Sequence, residues 1–519
     1  MDFEFSIDES RNEGTLQGYC NLPNMNLLHE KENESSPVVN RDECITTASK
    51  IVSTLRFYGF DVVSIKATVG FAFTFYEVVL KSNAHLAKVK KIECELMLSL
   101  GVIGVRLICP IPEKSSIGIE AANEHFQCVS AHSVFASKKF IDTQYSLPIA
   151  LGRTVDNDVF TFDLTTAQQL LIAGATGTGK SVAIYDIMLS LLFKKSTSEL
   201  QFVLMDPKCA ELTKFAPLAK WFMASIKGTN DDNSIVTDCE SAIKTLNSLV
   251  KEQENRYALL MDAGAGGIKE YNEKLNAGLL DTNKEIQEGL HHHYLPYIVT
   301  IIEEYGDFMI QGGKKVETPI ARVSQLGRGV GLHLVLTTQR PSIRVVTGVI
   351  KANFPTRIAF RTQSAIDSRT VMDAKGAEEL IGRGDALYSD GSNVVRLQCA
   401  YVEDDEVETV VNHIVSQNLD GKHYELPVAA DDECVKVPVV EKDTLYPLLE
   451  KIFIENKIFR QPWFENAPSP KELVKQTKEE LERLIDSPHR AITDEDIDRL
   501  FHISMSRIAH YKYKPTSVP

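Results

Sequence analysis

Two features that would at once assign a chain to a class are missing from these 519 residues. No stretch approaches the roughly 18 to 20 uninterrupted apolar residues of a membrane span, and the acidic, polar N-terminus does not resemble a secretion signal. The nine cysteines form no Cys-x-x-Cys pair and have no histidine at metal-ligand spacing, a pattern typical of reduced thiols. We therefore expect a cytoplasmic protein without a membrane anchor of its own and without a zinc site.

An excess of basic residues is missing as well. The 56 Lys and Arg against 71 Asp and Glu give a net charge of −15, which argues against a protein coated in basic surface. This balance does not exclude DNA as a partner, because a ring or a cleft can confine its lysines and arginines to an inner surface.

The chain does contain one loop with a specific chemistry. A strand predicted at residues 169–173 leads into the pattern G-x-x-x-x-G-K-[ST], and a helical pattern follows at residues 182–193. The nucleotide-binding candidates are Gly174, Ala175, Thr176, Gly177, Thr178, Gly179, Lys180, Ser181 and Val182. Glycines let backbone N–H groups converge on a phosphate, Lys180 reaches the outer phosphates, and the Ser181 hydroxyl ligates Mg²⁺. A glycine-rich turn without a ligand does not require this lysine and serine, so we predict ATP and Mg²⁺ as cofactors.

Two acids at the end of another predicted strand fit the same chemistry. The apolar residues 297–302 run directly into Glu303 and Glu304. A P-loop ATPase needs one carboxylate in the magnesium shell and another to orient the water that attacks the γ-phosphate. We therefore take both acids as catalytic candidates, and Ser181 with Glu303 as metal ligands. The alternative is a charged strand end at the protein surface.

Later polar residues supply the remaining catalytic candidates. The predicted strand at residues 332–337 ends near Gln339, whose amide fits a γ-phosphate sensor or a water-positioning group; a loop residue bonded to backbone is the alternative. An arginine, often from a neighbouring subunit, commonly stabilises the transition-state charge. The candidates are Arg322, Arg328, Arg357 and Arg369, of which we take Arg328 as the working choice; a surface or salt-bridge role is the alternative for each.

Composition and periodicity divide the chain into four regions. Residues 1–41 are polar and acidic without periodicity, which predicts a mostly disordered leader. Residues 42–137 are predicted to form a small α+β domain, and after a linker residues 148–417 alternate strand and helix. Such alternation predicts an α/β fold with a mainly parallel sheet, covered on both faces, and ligand groups at the carboxyl ends of its strands. Residues 440–519 are predicted to be a helical tail.

Several sequence blocks occur in an order that few P-loop proteins share. They are Pro110-Ile111-Pro112 with Lys114-Ser115, Met205-Asp206-Pro207-Lys208, GLHLVLTTQRPS at 331–342, TGVIKANFPTR at 347–357 and GRGDALY at 382–388. On these blocks the region from about residue 42 to 417 resembles the motor of FtsK/SpoIIIE-type DNA translocases, hexameric rings that use ATP to pump double-stranded DNA through a central channel. The resemblance implies a RecA-like P-loop ATPase domain and a small domain that stacks on it as a second ring.

The resemblance also implies roles for single residues in the site. Lys180 and Ser181 would bind phosphate and magnesium, Glu304 would activate water, and Gln339 would sense the nucleotide. One of the departures from the family pattern lies in this site. Glu303 occupies the position where the family normally has its magnesium-associated aspartate, which keeps the charge but moves the carboxylate by one methylene.

DNA contacts are implied in two places. Loops near Lys314, Lys315 and Lys351 would face the channel, where lysine contacts phosphates without reading bases. Family motors often end in a winged-helix domain, and residues 493–511 retain a helix-turn-helix pattern whose second helix would place Arg507 in the major groove. An ordinary helical cap is the alternative for this segment.

We therefore predict an ATP-dependent double-stranded DNA translocase that works as a homo-oligomeric ring, with a hexamer as the implied size, in chromosome segregation or DNA transfer. Three alternatives stay open: a nucleotide-dependent DNA-binding or assembly protein with weak turnover, a coupling or packaging ATPase of a mobile element, and a protein-secretion ATPase. Phosphate release stimulated by duplex DNA distinguishes a motor from a DNA-binding or assembly protein. DNA affinity that falls steeply with salt distinguishes a motor from a protein-secretion ATPase.

Overall fold

The computed structural model describes residues 21–30, 36–81, 86–102, 105–111, 116–227, 235–287, 289–417 and 424–429. These residues belong to the first of two units in the chain, Met1–Cys434. The predicted helical tail, with Arg507 and the helix-turn-helix pattern, lies outside the described residues. Every helix within the described ranges is too short or too polar to span a lipid bilayer.

The N-terminal domain is a four-stranded antiparallel sheet packed against helices. Its strands are β1 Val62–Val69, β2 Phe73–Leu80, β3 Arg106–Ile108 and β4 Ser116–Ala122, in the order β1-β2-β4-β3, and its helices are α1 Arg41–Phe57, α2 Leu86–Val89 and α3 Glu93–Leu100. Helix α1 begins after Asn40, whose side chain accepts the Glu43 N–H, and α3 ends at Gly101 in the left-handed conformation. Ile51 and Leu55 of α1 are buried in the domain's own core. The predicted small α+β domain is confirmed.

The second domain, which we call the motor domain, is built on one sheet of eleven strands. Its strands, with those of two small ribbons, are β5 Val129–Ser130, β6 Pro148–Thr154, β7 Val159–Asp163, β8 Leu170–Ala173, β9 Leu200–Met205, β10 Ala224–Ile226, β11 Ile235–Val236, β12 Glu285–Gln287, β13 Leu290–His291, β14 Tyr297–Ile302, β15 Leu332–Thr338, β16 Thr356–Phe360, β17 Asp385–Ser389, β18 Val394–Tyr401 and β19 Tyr424–Leu426. The ribbons pair β10 with β19 and β12 with β13.

The main sheet has a parallel half and an antiparallel wing. Its order is β11-β9-β14-β15-β8-β16-β17-β18-β6-β7, and β5 pairs with β18. Neighbours from β11 to β16 are parallel, whereas the pairs from β16 through β17, β18 and β6 to β7 are antiparallel. The predicted parallel sheet is confirmed, and the antiparallel wing extends it.

Helices cover both faces of this sheet. They are α4 Ala131–Phe135, α5 Lys138–Ile141, α6 Leu164–Ala167, α7 Lys180–Leu192, α8 Ala219–Phe222, α9 Cys239–Asp262, α10 Ile268–Asn276, α11 Tyr305–Gly312, α12 Lys314–Leu326, α13 Gly348–Asn353, α14 Ala365–Met372 and α15 Asp404–Ser416. Ile184 of α7 and Val411 of α15 pack in one core, and Leu249 of α9 and Val323 of α12 in the other. Helices on both sides explain why β8 and β9 are buried at every position instead of at alternate ones.

Part of the predicted disordered leader packs on the motor domain instead. We call residues 21–30 the N-terminal strap. It forms a 3₁₀ turn at Met25–Leu27 and buries Leu28 in the motor core. Asn21 exchanges two backbone-to-amide hydrogen bonds of 2.9 Å with Gln417 at the end of α15. The polar composition hid this contact because only a few apolar side chains, among them the buried Pro23 and Leu28, and a few hydrogen bonds hold the strap.

The linker predicted before residue 148 also differs from the structure. Strand β5 and helices α4 and α5 occupy residues 129–141, and Phe135 and Phe140 are buried in the same core as α7. The motor domain therefore begins near residue 129, inside the region predicted as the small domain. The sequence hid this boundary because elements of two to five residues are too short to show a period.

Candidate nucleotide-binding site

Three neighbouring strands bring the predicted residues to one edge of the sheet. Strand β15 lies between β8 and β14, with Thr338 opposite Ala173. Because the strands are parallel, their carboxyl ends meet, and each is followed by one of the predicted segments. The structure thereby brings together Lys180, Glu303, Glu304 and Gln339. Their predicted roles stay predictions.

The P-loop is shaped by backbone contacts that exclude side chains. Gly177 and Gly179 have φ angles of +75° and +118°, which glycine adopts readily. A Cβ on Gly179 would lie 2.7 Å from the backbone nitrogen of Gly384, so only glycine fits there. Helix α7 begins at Lys180, and the N–H groups of its first turn have no acceptor within the helix. This geometry suits an anion such as a phosphate.

The P-loop lysine is paired with the first acid. The Lys180 ammonium lies 2.5 Å from Oε1 of Glu303, and both side chains are buried. Burial raises the pKa of Glu303 above its ordinary value, while the neighbouring ammonium acts in the opposite direction. A bound phosphate that pairs with the Lys180 ammonium would leave the Glu303 carboxylate available for another partner.

One hydroxyl connects the two acids. The Thr337 hydroxyl donates to Oε2 of Glu303 and accepts the backbone N–H of Glu304 at 3.2 Å. A threonine at the end of β15 thus fixes the relative position of two consecutive residues after β14.

The second acid is held in a backbone conformation that is unusual for a residue with a side chain. Glu304 has a φ of +45° and immediately precedes α11. Its two carboxylate oxygens accept hydrogen bonds from the Thr338 hydroxyl and the Gln339 N–H, each at 3.0 Å. Left-handed non-glycine residues cost roughly 1–3 kcal/mol and cluster at functional sites.

Gln339 joins the P-loop to the third strand. Its side-chain oxygen accepts a hydrogen bond of 2.8 Å from the Thr176 hydroxyl in the P-loop. A second contact runs from the Gly174 N–H to the Thr338 carbonyl at 3.2 Å. The Gln339 side chain is therefore in direct contact with the P-loop, so a movement of that loop would displace it.

The structure adds Lys208, to which no role was assigned from the sequence. Its ammonium lies 3.8 Å from Oε2 of Glu304 and 3.7 Å from Oδ2 of Asp307. The buried carboxylate of Asp206 orders this loop by accepting backbone N–H bonds, among them those of Lys208 and Ala210 at 2.9 Å. Asp206 and Lys208 belong to a block noted in the sequence, but only the strand order places β9 beside β14.

Three of the four arginine candidates lie at the opposite edge of the sheet or are paired with acids, and the fourth is exposed. Arg328 is exposed in the 3₁₀ turn Gly327–Val330, which precedes β15, so it lies at the opposite edge of the sheet from Gln339. Arg322 pairs with Glu254 at 3.0 Å. Arg357 pairs with Asp373, and Arg369 is exposed on α14.

Two of the three lysine candidates are exposed, and the third is engaged. Lys314 and Lys315 are exposed in the first turn of α12. Lys351 lies in helix α13, not in a loop, and its ammonium pairs with the Asp373 carboxylate that also binds Arg357. All three lysines thus lie in helices instead of loops, and their contact with DNA stays a prediction.

Comparison with known proteins agrees with these features. The FtsK/SpoIIIE family model matches residues 132–343, and the FtsK alpha domain model matches residues 22–123. The DNA translocase FtsK of Haemophilus influenzae is 35% identical over 450 residues, which are 83% of this chain and 82% of that protein. The DNA translocase FtsK of Chlorobaculum tepidum is 39% identical over 400 residues, 76% of this chain and 48% of that protein.

Among solved structures, the conjugation coupling protein TcpA with ATPγS is 21% identical, with a TM-score of 0.47, and the match covers 72% of this chain and 99% of that one.

The fold and the site define the class of this protein: an α/β P-loop ATPase domain with a small α+β domain before it. The chain belongs to the FtsK/SpoIIIE family. It spans about half the length of the Chlorobaculum protein.

Proposed function

We propose that this chain is an ATP-dependent double-stranded DNA translocase. The observation that carries the proposal is the contact of Lys180 with Glu303 beside Glu304 and Gln339, at the ends of three adjacent parallel strands. This is the arrangement that hydrolysis of a nucleoside triphosphate requires. The relatives are named DNA translocases, which supports duplex DNA as the substrate.

The donor set fits magnesium as the metal. Ser181 in the first turn of α7 offers a hydroxyl, and Glu303 offers a carboxylate, both of them hard oxygen ligands that Mg²⁺ prefers. Bound with ATP, the metal would neutralise charge on the phosphates. The other steps belong to the chain: Lys180 leaves Glu303 for the phosphates, Glu304 orients the attacking water, and Gln339 responds to the γ-phosphate.

The direct test is hydrolysis of ATP by the full chain with and without duplex DNA. We expect duplex DNA to stimulate phosphate release, and we expect Lys180→Ala to abolish both binding and hydrolysis. Absence of stimulation, with ATP still bound by the wild type, would overturn the motor function.

One observation favours a second candidate, a nucleotide-dependent DNA-binding or assembly protein with weak turnover. Glu303 is longer than the family's aspartate and holds Lys180 in a buried ion pair. If that pair limits turnover, Glu303→Asp will hydrolyse ATP faster than the wild type at equal nucleotide affinity. A slower Glu303→Asp enzyme excludes this candidate.

The DNA contact is proposed at Lys314 and Lys315, the exposed candidates. Each phosphate contact contributes a slope of about −0.9 to the dependence of log K on log salt, so the double alanine variant should flatten the slope by about 1.8. The matched control replaces the exposed Lys244 and Lys269, which removes the same charge elsewhere. Equal slopes in the two variants would remove the DNA role from α12.

We propose a hexameric ring as the working form, in which Arg328 acts on the P-loop of a neighbouring subunit. Its place at the opposite sheet edge requires such a neighbour for any catalytic role. Mixing inactive Arg328→Ala with inactive Lys180→Ala should restore turnover, because each supplies what the other lacks. Sedimentation with duplex DNA and an ATP analogue checks the ring. A cytoplasmic location and a role in chromosome segregation or DNA transfer stay predictions.

A further inference from the structure

A buried ion cluster lies between the small domain and the motor domain. Arg396 of β18 donates through Nε and Nη2 to the two carboxylate oxygens of Asp385, at 2.9 and 2.7 Å. Its Nη1 donates to Oε2 of Glu120, on strand β4 of the small domain, at 2.6 Å. The guanidinium also lies over the ring of Phe73, 4.2 Å from its centroid. One side chain of the motor domain therefore binds both domains.

The cluster is balanced in charge. Arg106 adds a second cation, 3.4 Å from Glu120, so two arginines face two carboxylates. Burial alone would lower the pKa of Arg396, but Asp385 and Glu120 raise it above its ordinary value. The guanidinium thus stays charged and forms a two-pronged pair with Asp385, a geometry that fixes both partners closely.

The same segment of the motor domain touches the P-loop. Gly384, the residue before Asp385, donates its N–H to the Thr178 carbonyl at 2.8 Å and accepts the Cys399 N–H at 2.8 Å. Its backbone also closes the space above Gly179, where a Cβ would come within 2.8 Å of the Gly384 Cα. The position of Gly384 therefore sets one wall of the phosphate loop.

We propose that Arg396 is a positioning residue that couples the nucleotide site to the small domain. The contacts run from Thr178 through Gly384 and Asp385 to Arg396, and from there to Glu120. A shift of the small domain moves Gly384 against the P-loop, and a change in the P-loop moves the small domain in return. The inference rests on the proposed function only for the identity of the nucleotide.

The test removes the charge of Glu120, the small-domain end of this chain of contacts, which is far from the P-loop in sequence. Glu120→Gln keeps the shape of the side chain and removes its charge. The matched control is Glu43→Gln, since Glu43 is a half-buried acid of the same domain that accepts the Glu124 N–H and is not among the partners of Arg396. Amide hydrogen exchange of peptides covering 174–182 is measured on the full chain without nucleotide, and affinity for a fluorescent ATP analogue is measured separately.

We expect exchange at the P-loop to rise roughly fivefold or more in Glu120→Gln, with a comparable loss of nucleotide affinity. Glu43→Gln should leave both at the wild-type value, and Glu120→Asp should recover part of the loss because it restores the charge. An unchanged P-loop in folded Glu120→Gln, or an equal change in Glu43→Gln, overturns the coupling. If Glu120→Gln does not fold, Glu120→Asp decides by the same measurement, and its P-loop must exchange faster than the wild type.

The hydrogen-exchange result separates the two proposals. Faster exchange in Glu120→Gln, together with a wild type that shows no DNA-stimulated hydrolysis, would overturn the translocase function and keep the coupling. Stimulated hydrolysis with an unchanged P-loop in Glu120→Gln would do the reverse.

Discussion

The parallel half of the main sheet and its antiparallel wing both bury charged groups, but they treat them differently. In the parallel half, Lys180 is paired with Glu303, at the edge where strands end and a ligand enters. In the wing, Arg396 has two carboxylate partners deep in the protein. The Lys180–Glu303 pair can exchange a partner for a ligand, whereas the Arg396 cluster is closed to ligands. We therefore expect the parallel half to change state when a ligand binds and the wing to keep its geometry.

The largest effect is expected at the exchangeable site. Glu304→Gln should lower ATP turnover roughly 10²- to 10⁴-fold, the usual contribution of a group that handles a proton in the transition state. Nucleotide affinity should stay near the wild-type value, since the amide keeps the side chain's shape. Steady-state hydrolysis and equilibrium binding measure the two effects. If turnover survives in Glu304→Gln and is lost in Glu303→Gln, the roles of the two acids are reversed.

Breaking the buried Arg396 cluster should lower the free energy of unfolding. Arg396→Ala leaves Asp385 and Glu120 buried without their main cation, and breaking such a pair costs roughly 3–5 kcal/mol. Lys180→Ala removes a partner from one acid at the sheet edge and should cost less, while nucleotide binding disappears. Chemical unfolding of both variants makes the comparison. Equal losses of unfolding free energy in the two variants would show that the Lys180–Glu303 pair is as closed as the Arg396 cluster.

A smaller effect is expected at Lys208. Lys208→Gln removes the cation near Glu304 and Asp307, so the carboxylate that we propose to orient water loses a neighbour but keeps its two hydrogen bonds. We expect turnover to fall about three- to tenfold with unchanged affinity for ATP. Lys227→Gln, at an exposed position of the same domain, is the control. A drop in affinity alone would assign Lys208 to binding instead.

The smallest effect concerns the pH dependence of stability at Glu379 of the motor domain. Burial, with help from Glu93 and Glu378, raises the pKa of Glu379 to about 7 from 4.5, against the opposing effects of Arg106 and Lys375. The folded protein then holds this proton more tightly than the unfolded chain, so the stabilising contribution is full below pH 4.5 and is lost as pH rises through 7.

Because Glu379 is half exposed, solvent screening leaves about 1 kcal/mol of this contribution. Glu379→Gln should therefore lose less stability than the wild type when pH is raised from about 5 to about 8, as measured by unfolding at each pH. The exposed Glu408→Gln serves as the control and should follow the wild type. A wild-type curve that rises over this range contradicts the assignment.

The nucleotide site could be predicted from sequence because each part follows an apolar run that is itself a strand. The P-loop, the acids after β14 and Gln339 after β15 all carried their own local signal. Lys208 and Thr337 did not, since their roles depend on which strands are neighbours. Arg396 carried none, because a lone arginine in a strand gives no sign that an acid of another domain will meet it.

Domain limits were harder to predict for a related reason. The strap and the segment at 129–141 are short, and many of their contacts are with residues 53 to 396 positions away. A period needs several turns or several alternations to be visible. Single anchoring residues such as Leu28 and Phe140 therefore become informative only once the core is assembled.

The strap has a mechanical consequence. A pull transmitted along the chain from the N-terminal side reaches the two hydrogen bonds between Asn21 and Gln417 before it reaches α1. The load then passes to the end of α15, whose inner face is packed in the motor core, through Val411 for example. The small domain is thereby shielded from tension until the strap has peeled away, and the ATPase domain is the part that bears the force first.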